Sequence, residues 1–219
     1  KRSEFSAANG VNSVLPSEPY SYQSHSDMVQ FVLIHPGSTD YRQQKLVQGR
    51  LDVPLNAEGN NEVAQLIERL RPLGLEAVYT SEGQPAAQTA ETIAEAFELK
   101  CRKLDRFENL NLGLWQGMAV EEIRRKQPKV YRQWQESPEC VCPPEGEMLA
   151  DADERVRAAL ARLVKRHKDG TIGVVASEPL ASLVRRYFTH GPLGDLWKAA
   201  LQAGGFEVFS TEPAGVSSP

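Results

Sequence analysis

The sequence predicts an α/β domain of three layers, α/β/α, built on a mostly parallel central sheet. Three observations carry this. Short, continuously apolar runs of strand length alternate along the chain with longer segments of helical periodicity. The apolar runs lack polar alternation, as expected of strands covered on both faces. Proline and glycine punctuate the junctions, so each run is separate and the βαβ order favours parallel pairing. At 219 residues the chain can bury a sizeable core, most simply as one domain.

Residues 1–27 are rich in Ser, Asn and Pro without sustained periodicity and read as an extended or disordered arm. The domain proper is expected over 28–212, with a flexible tail at 213–219. Met28 to Ile34 is the first buried strand. Glu58 to Arg71 carries Val63, Leu66, Ile67 and Leu70 on one helical face, and Pro72 and Gly74 end it. A strand over Leu75 to Thr80, a helix over about Pro85 to Phe97 and a strand over Lys100 to Leu104 follow. Val120 to Trp134 holds helical segments around Pro128. Met148 to His167 is a long helix, acidic early and basic late, which suits the helix dipole. Its stripe Val156, Ala159, Leu160, Leu163, Val164 is a core face. Thr171 to Ala176 is a strand, Pro179 to Phe188 a helix, and Phe206 to Ser210 the last strand.

Composition excludes several classes. The net charge of −4 argues against a general nucleic-acid binder, and no apolar run approaches bilayer-spanning length. No signal-peptide pattern opens the chain, so a cytoplasmic protein is expected, although the first residue is Lys rather than Met. Cys101, Cys140 and Cys142 form an odd set that suggests neither a disulfide framework nor a metal site. No cofactor is expected.

Parallel sheets place their sites at the carboxyl ends of strands. There the chain reads His35-Pro36-Gly37-Ser38-Thr39-Asp40, then Tyr79-Thr80-Ser81-Glu82-Gly83-Gln84-Pro85-Ala86-Ala87-Gln88-Thr89-Ala90. Further on come Glu108-Asn109-Leu110-Asn111-Leu112-Gly113-Leu114-Trp115-Gln116-Gly117 and Val174-Val175-Ala176-Ser177-Glu178-Pro179. With Gln48 to Gly59 and Pro144-Glu145-Gly146-Glu147, these segments resemble the histidine phosphatase (phosphoglycerate mutase-like) superfamily over roughly Met28 to Phe188. The resemblance implies about six strands, one of them antiparallel.

It also implies a phosphoryl-accepting histidine, a clamp of arginines and a second histidine, and a carboxylic proton donor. Carried over residue by residue, those positions hold other groups here. Pro36 stands at the nucleophile, His35 at the neighbouring arginine, Pro85 at the clamping arginine, Asn109 at the proton donor and Ser177 at the second histidine. Ser38 replaces a glutamate, and Arg42 falls where many relatives have an asparagine that touches substrate. Glu82 and Glu178 arrive beside the pocket, and carboxylates there would repel a phosphate dianion.

These replacements lead to the expectation of a catalytically inactive family scaffold that binds an unknown protein or small-molecule partner, and binds phosphate weakly. The competing expectation is a residual or altered phosphomonoesterase or phosphomutase using His35, with Arg42, Lys45 and Arg50 as the nearest unassigned cations. A hydrolase triad of Ser177, His35 and Glu178 is disfavoured because no nucleophile-elbow pattern surrounds Ser177. Glu82 and Glu178 are expected as solvated loop carboxylates, and Trp115, Trp134 and Trp197 as packing residues.

Overall fold

The computed structural model describes residues 28–200 and 204–211. The expected arm at 1–27 and tail at 213–219 lie outside the described residues. Five strands form one sheet in the order β3-β2-β4-β1-β5. They are β1 (Val29–Ile34), β2 (Ala77–Thr80), β3 (Cys101–Lys103), β4 (Thr171–Val175) and β5 (Phe206–Thr211). The pairs β1–β4, β2–β4 and β2–β3 are parallel, and β5 runs antiparallel to β1 at the edge. The sheet is therefore mostly parallel, but it has five strands among the described residues rather than six.

The helices are α1 (Asp40–Gln43), α2 (Ala57–Leu70), α3 (Ala86–Ala96), α4 (Val120–Lys126), α5 (Pro128–Glu136), α6 (Leu149–Arg166), α7 (Leu180–Thr189) and α8 (Leu196–Ala199). Strand alternation sorts the core into two clusters. Val32, Ile34, Val78 and Val175 face α2 and α3, meeting Val63, Leu66, Leu70, Ala90 and Ile93. Phe31, Leu33, Tyr79 and Val174 face the other way, onto α6 and α7 through Val156, Leu160, Leu180 and Val184. These clusters make the three layers.

Local chemistry explains the ends. The Asn56 side chain caps α2 by accepting from the Gly59 amide at 2.9 Å. Gly74, in the left-handed region at φ 62°, closes the turn after it. At the head of α2 the backbone comes so close to the loop after β1 that a Cβ on Gly59 would collide with the Ser38 carbonyl. Gln127 and Pro128 split the predicted helical stretch into α4 and α5, because proline disfavours helical geometry in the residue before it. The four-residue α1 and α8 escape a periodicity reading because neither completes two turns.

The three tryptophans pack together beside α5 and α8. Trp115 meets Trp134 edge-on at 5.4 Å and Trp197 at 5.6 Å, and Trp197 stacks on Tyr131 at 5.2 Å. Cys101, Cys140 and Cys142 are free thiols, and no group of three potential metal ligands occurs among the described residues. No described helix is long and apolar enough to cross a membrane.

Candidate active site

Sheet register brings the candidate residues together. Ile34 and Thr80 both pair with Val175, so β1, β2 and β4 stop at one level. His35, Ser81 and Ser177 follow directly beyond that edge. Two clefts open there and share Gly49 as a common wall. One, of about 330 Å³, is lined by Arg50, Ser81, Glu82, Lys103, Asn109 and Ser177 among others. The other is narrow, with a volume of only about 40 Å³, and has Arg42 and Glu178 among apolar side chains.

His35 is 6% exposed. Its Nε2 lies 3.0 Å from Glu207 Oε1 on β5, and its Nδ1 lies 4.0 Å from Glu178 Oε1. A carboxylate can only accept, so the 3.0 Å bond places a ring proton on Nε2, and in the neutral ring Nδ1 then carries the lone pair. Glu207 is in turn gripped by Arg185 through two 2.7 Å bonds. Burial alone would raise the Glu207 pKa, but bonds from Arg185 and His35 outweigh it and hold the carboxyl at about 2. The bond to Glu207, with the nearby carboxylates of Glu178 and Glu207, raises the Arg185 pKa despite its burial.

Asn109 is buried and uses its whole side-chain amide. Nδ2 donates to the carbonyls of Gly49 at 2.9 Å and Glu178 at 3.0 Å, and Oδ1 accepts from the Leu110 and Leu180 amides. It ties the loop after β3 to the start of α7 and to the loop around Gly49. An amide fits because two of its partners are carbonyls, which need donors. Arg155 fixes the same loop by donating to the carbonyls of Arg106, Glu108 and Asn109, and it pairs with Glu147. Glu147 also takes Arg50 and the Asn111 amide, which gives the Pro144 to Glu147 segment its structural task.

The other candidates scatter. Ser38 is committed elsewhere: its amide and hydroxyl both donate to Glu62. Pro36 offers only its carbonyl, which accepts from Arg42 at 3.1 Å. Pro85 opens α3. Burial lowers the Arg42 pKa, opposed by Glu62 and Glu178, yet a guanidinium remains charged. Ser177 Oγ is buried without a hydrogen bond, so it forms no triad with His35 and Glu178.

Glu82 and Glu178 do not form an acidic pair, because they line different clefts. Glu82 is exposed, as expected of a loop carboxylate. Glu178 corrects the expectation of a solvated loop: it is 7% exposed, and its Oε2 accepts from the Ser182 amide and hydroxyl in the first turn of α7. Sequence reading missed Glu62, Arg155, Arg185 and Glu207. The one available signal was the late strand carrying Glu207, which pairs with the histidine-bearing strand.

The comparisons with known proteins identify the class. Residues 31–217 match the model of the histidine phosphatase superfamily (branch 1), and the chain belongs to this family. It is 34% identical over 149 residues to phosphoserine phosphatase 1 of Hydrogenobacter thermophilus, covering 68% of this chain and 71% of that one. It is 32% identical over 133 residues to the probable phosphoglycerate mutase GpmB of Yersinia enterocolitica, covering 61% of this chain and 62% of the relative. Among solved structures, Bacillus stearothermophilus YhfR matches with a TM-score of 0.73 at 26% identity, over 82% of this chain and 90% of that one. The mycobacterial glucosyl-3-phosphoglycerate phosphatase Rv2419c matches with a TM-score of 0.72 at 25% identity, over 84% and 90%.

These findings overturn the expectation of a catalytically inactive scaffold, since the named relatives are phosphatases and a mutase. That expectation set the replaced residues at Pro36, Pro85, Asn109 and Ser177 above the competing reading of an altered enzyme using His35. It gave too little weight to the imidazole that remains at the strand end.

Proposed function

We propose that this chain is an altered phosphomonoesterase in which His35 takes the phosphoryl group. The observation that carries the reading is the His35 imidazole itself: buried at the end of β1, held through Nε2 by Glu207, with no hydrogen bond on Nδ1 among the described residues. The kinship with named phosphatases supports the reaction class.

In this reading the Nδ1 lone pair attacks phosphorus while the ester P–O bond breaks and the alcohol oxygen leaves. Water then cleaves the phosphohistidine, releasing inorganic phosphate and restoring the neutral ring. Glu207 keeps the ring in the required tautomer and stabilises its positive charge while the phosphorus is attached. The Arg185 guanidinium balances the carboxylates on either side of the imidazole.

The test is turnover of p-nitrophenyl phosphate by the purified protein, compared with His35→Ala and His35→Gln. The reading predicts measurable release of p-nitrophenolate that both variants lose, while Glu207→Gln retains a reduced rate. Turnover unchanged in His35→Ala would overturn it.

A further inference from the structure

We infer that Cys140 and Cys142 form a two-thiolate site for a soft monovalent cation, copper(I), on the loop between α5 and α6. The inference is independent of the proposed reaction and involves none of the residues that hold His35. It revises the sequence reading, in which the odd set of cysteines suggested no metal site.

The geometry starts from one buried residue between two exposed thiols. Cys140 and Cys142 reach solvent, while Val141 is 4% exposed. Val141 has φ −111° and ψ 129°, extended backbone in which alternate side chains share a face. The two cysteine Cα atoms are therefore about 6.5 Å apart, two residue rises of a strand. The loop is braced on both sides. Pro138 opens the single 3-10 turn that ends at Cys140, Val141 belongs to the core cluster of the tryptophans, and Pro143 and Pro144 fix φ immediately beyond. The Pro144 carbonyl accepts from the Leu114 amide at 2.9 Å, and Glu147 is held by Arg155. Bracing of this kind lowers the ordering cost of binding.

The spacing selects the ligand. A disulfide needs its Cβ atoms about 3.5–4.5 Å apart and joins sulfurs at about 2.05 Å, which asks an extended pair to close up. A metal ion between the sulfurs relaxes that demand, since two bonds of about 2.3 Å span up to about 4.6 Å. Thiolates are soft donors and favour copper(I). Zinc asks for four ligands, and no group of three candidates occurs among the described residues. The neighbouring Glu139 is engaged by Arg186. Copper(I) is satisfied by two sulfurs in line. The Cys142 thiol makes only weak contacts, at 3.6 Å to the Pro143 carbonyl and 3.8 Å to the Gly146 carbonyl, and gives them up at little cost. Each thiol releases its proton to solvent as its S–Cu bond forms, and copper stays at +1, so no oxidant or reductant takes part.

The test is anaerobic titration of the purified chain with copper(I) against bathocuproine disulfonate, a coloured chelator of that ion. Uptake of one copper(I) per chain is predicted, with X-ray absorption showing two sulfur neighbours. Cys140→Ser and Cys142→Ser should each weaken uptake by at least about tenfold, because one thiolate cannot complete the pair, and zinc should bind the native chain more weakly by a similar factor. Cys101→Ser should leave uptake unchanged. Both serine positions in the loop are exposed, and thermal melting shows whether the variants are folded. Failure to compete with the chelator, uptake undiminished in either folded loop variant, zinc held as tightly as copper(I), or copper found bridging two chains on size exclusion would each overturn the inference.

Discussion

Asn109 shows how much a single residue's identity reveals and where it stops. The family resemblance exposed the replacement of a carboxylic acid by an amide, but only the structure shows what the amide does. Its two donors hold the Gly49 and Glu178 carbonyls, and its oxygen holds two amides. Asn109→Asp would remove both donors and set a carboxylate against two buried carbonyls. We expect a loss of about 2–5 kcal/mol in denaturant unfolding, and no gain in phosphatase activity. The same residue has a catalytic consequence. An amide cannot protonate a departing alkoxide, so esters with acidic leaving groups should react much faster than alkyl esters. The predicted ratio of kcat/KM for p-nitrophenyl phosphate over an alkyl phosphate is about 10² or more, the usual contribution of a general acid. Similar rates for the two would show that another group supplies the proton. Glu178 was less legible: sequence places it in a loop after a strand, and nothing in its neighbours announces that Ser182 folds back to bury it.

At the scale of elements, the strongly periodic segments were readable because packing and local preference agree. The helix carrying Val63 to Leu70 and the buried strand before His35 both fall within a residue or two of their predicted limits. The sixth strand was inherited from the resemblance and does not appear among the described residues. The last strand was legible as a strand but not as part of the site, because its antiparallel pairing with β1 is a long-range event. That pairing puts Glu207 against His35 and Arg185, and it makes a pH prediction. The Glu207 pKa is depressed in the folded protein to about 2. Its contribution to stability is therefore present above the ordinary carboxylate range and is lost as pH falls through about 4.5 toward 2. Melting followed between pH 6 and pH 2 should show Glu207→Gln less stable than the native chain at pH 6, with the gap closing at the acid end. A gap that persists at pH 2 would assign Glu207 a role in packing rather than charge. In the tryptophan cluster, Trp134→Ala should cost about 3–5 kcal/mol, read by the same unfolding measurement.

For the whole molecule, layer order and sheet direction followed from alternation of strand and helix signals, and the family relationship followed from motifs spread along much of the chain. Function did not follow in the same way. Motif positions tell which residue occupies a place, whereas chemistry depends on where its side chain points and what holds it. Replaced residues at Pro36 and Ser177 suggested an inactive site. The folded chain instead concentrates His35, Glu178, Arg185 and Glu207 into one charged group beside a cleft, with β1, β5 and α7 each supplying part. The most direct test of this account is to trap the covalent step. Protein mixed with p-nitrophenyl phosphate, quenched in alkali and digested, is analysed by mass spectrometry for an acid-labile phosphoryl group. The account predicts that the group maps to His35 and disappears in His35→Gln. Turnover accompanied by phosphorylation of another residue, or adduct formation undiminished in His35→Gln, would contradict it.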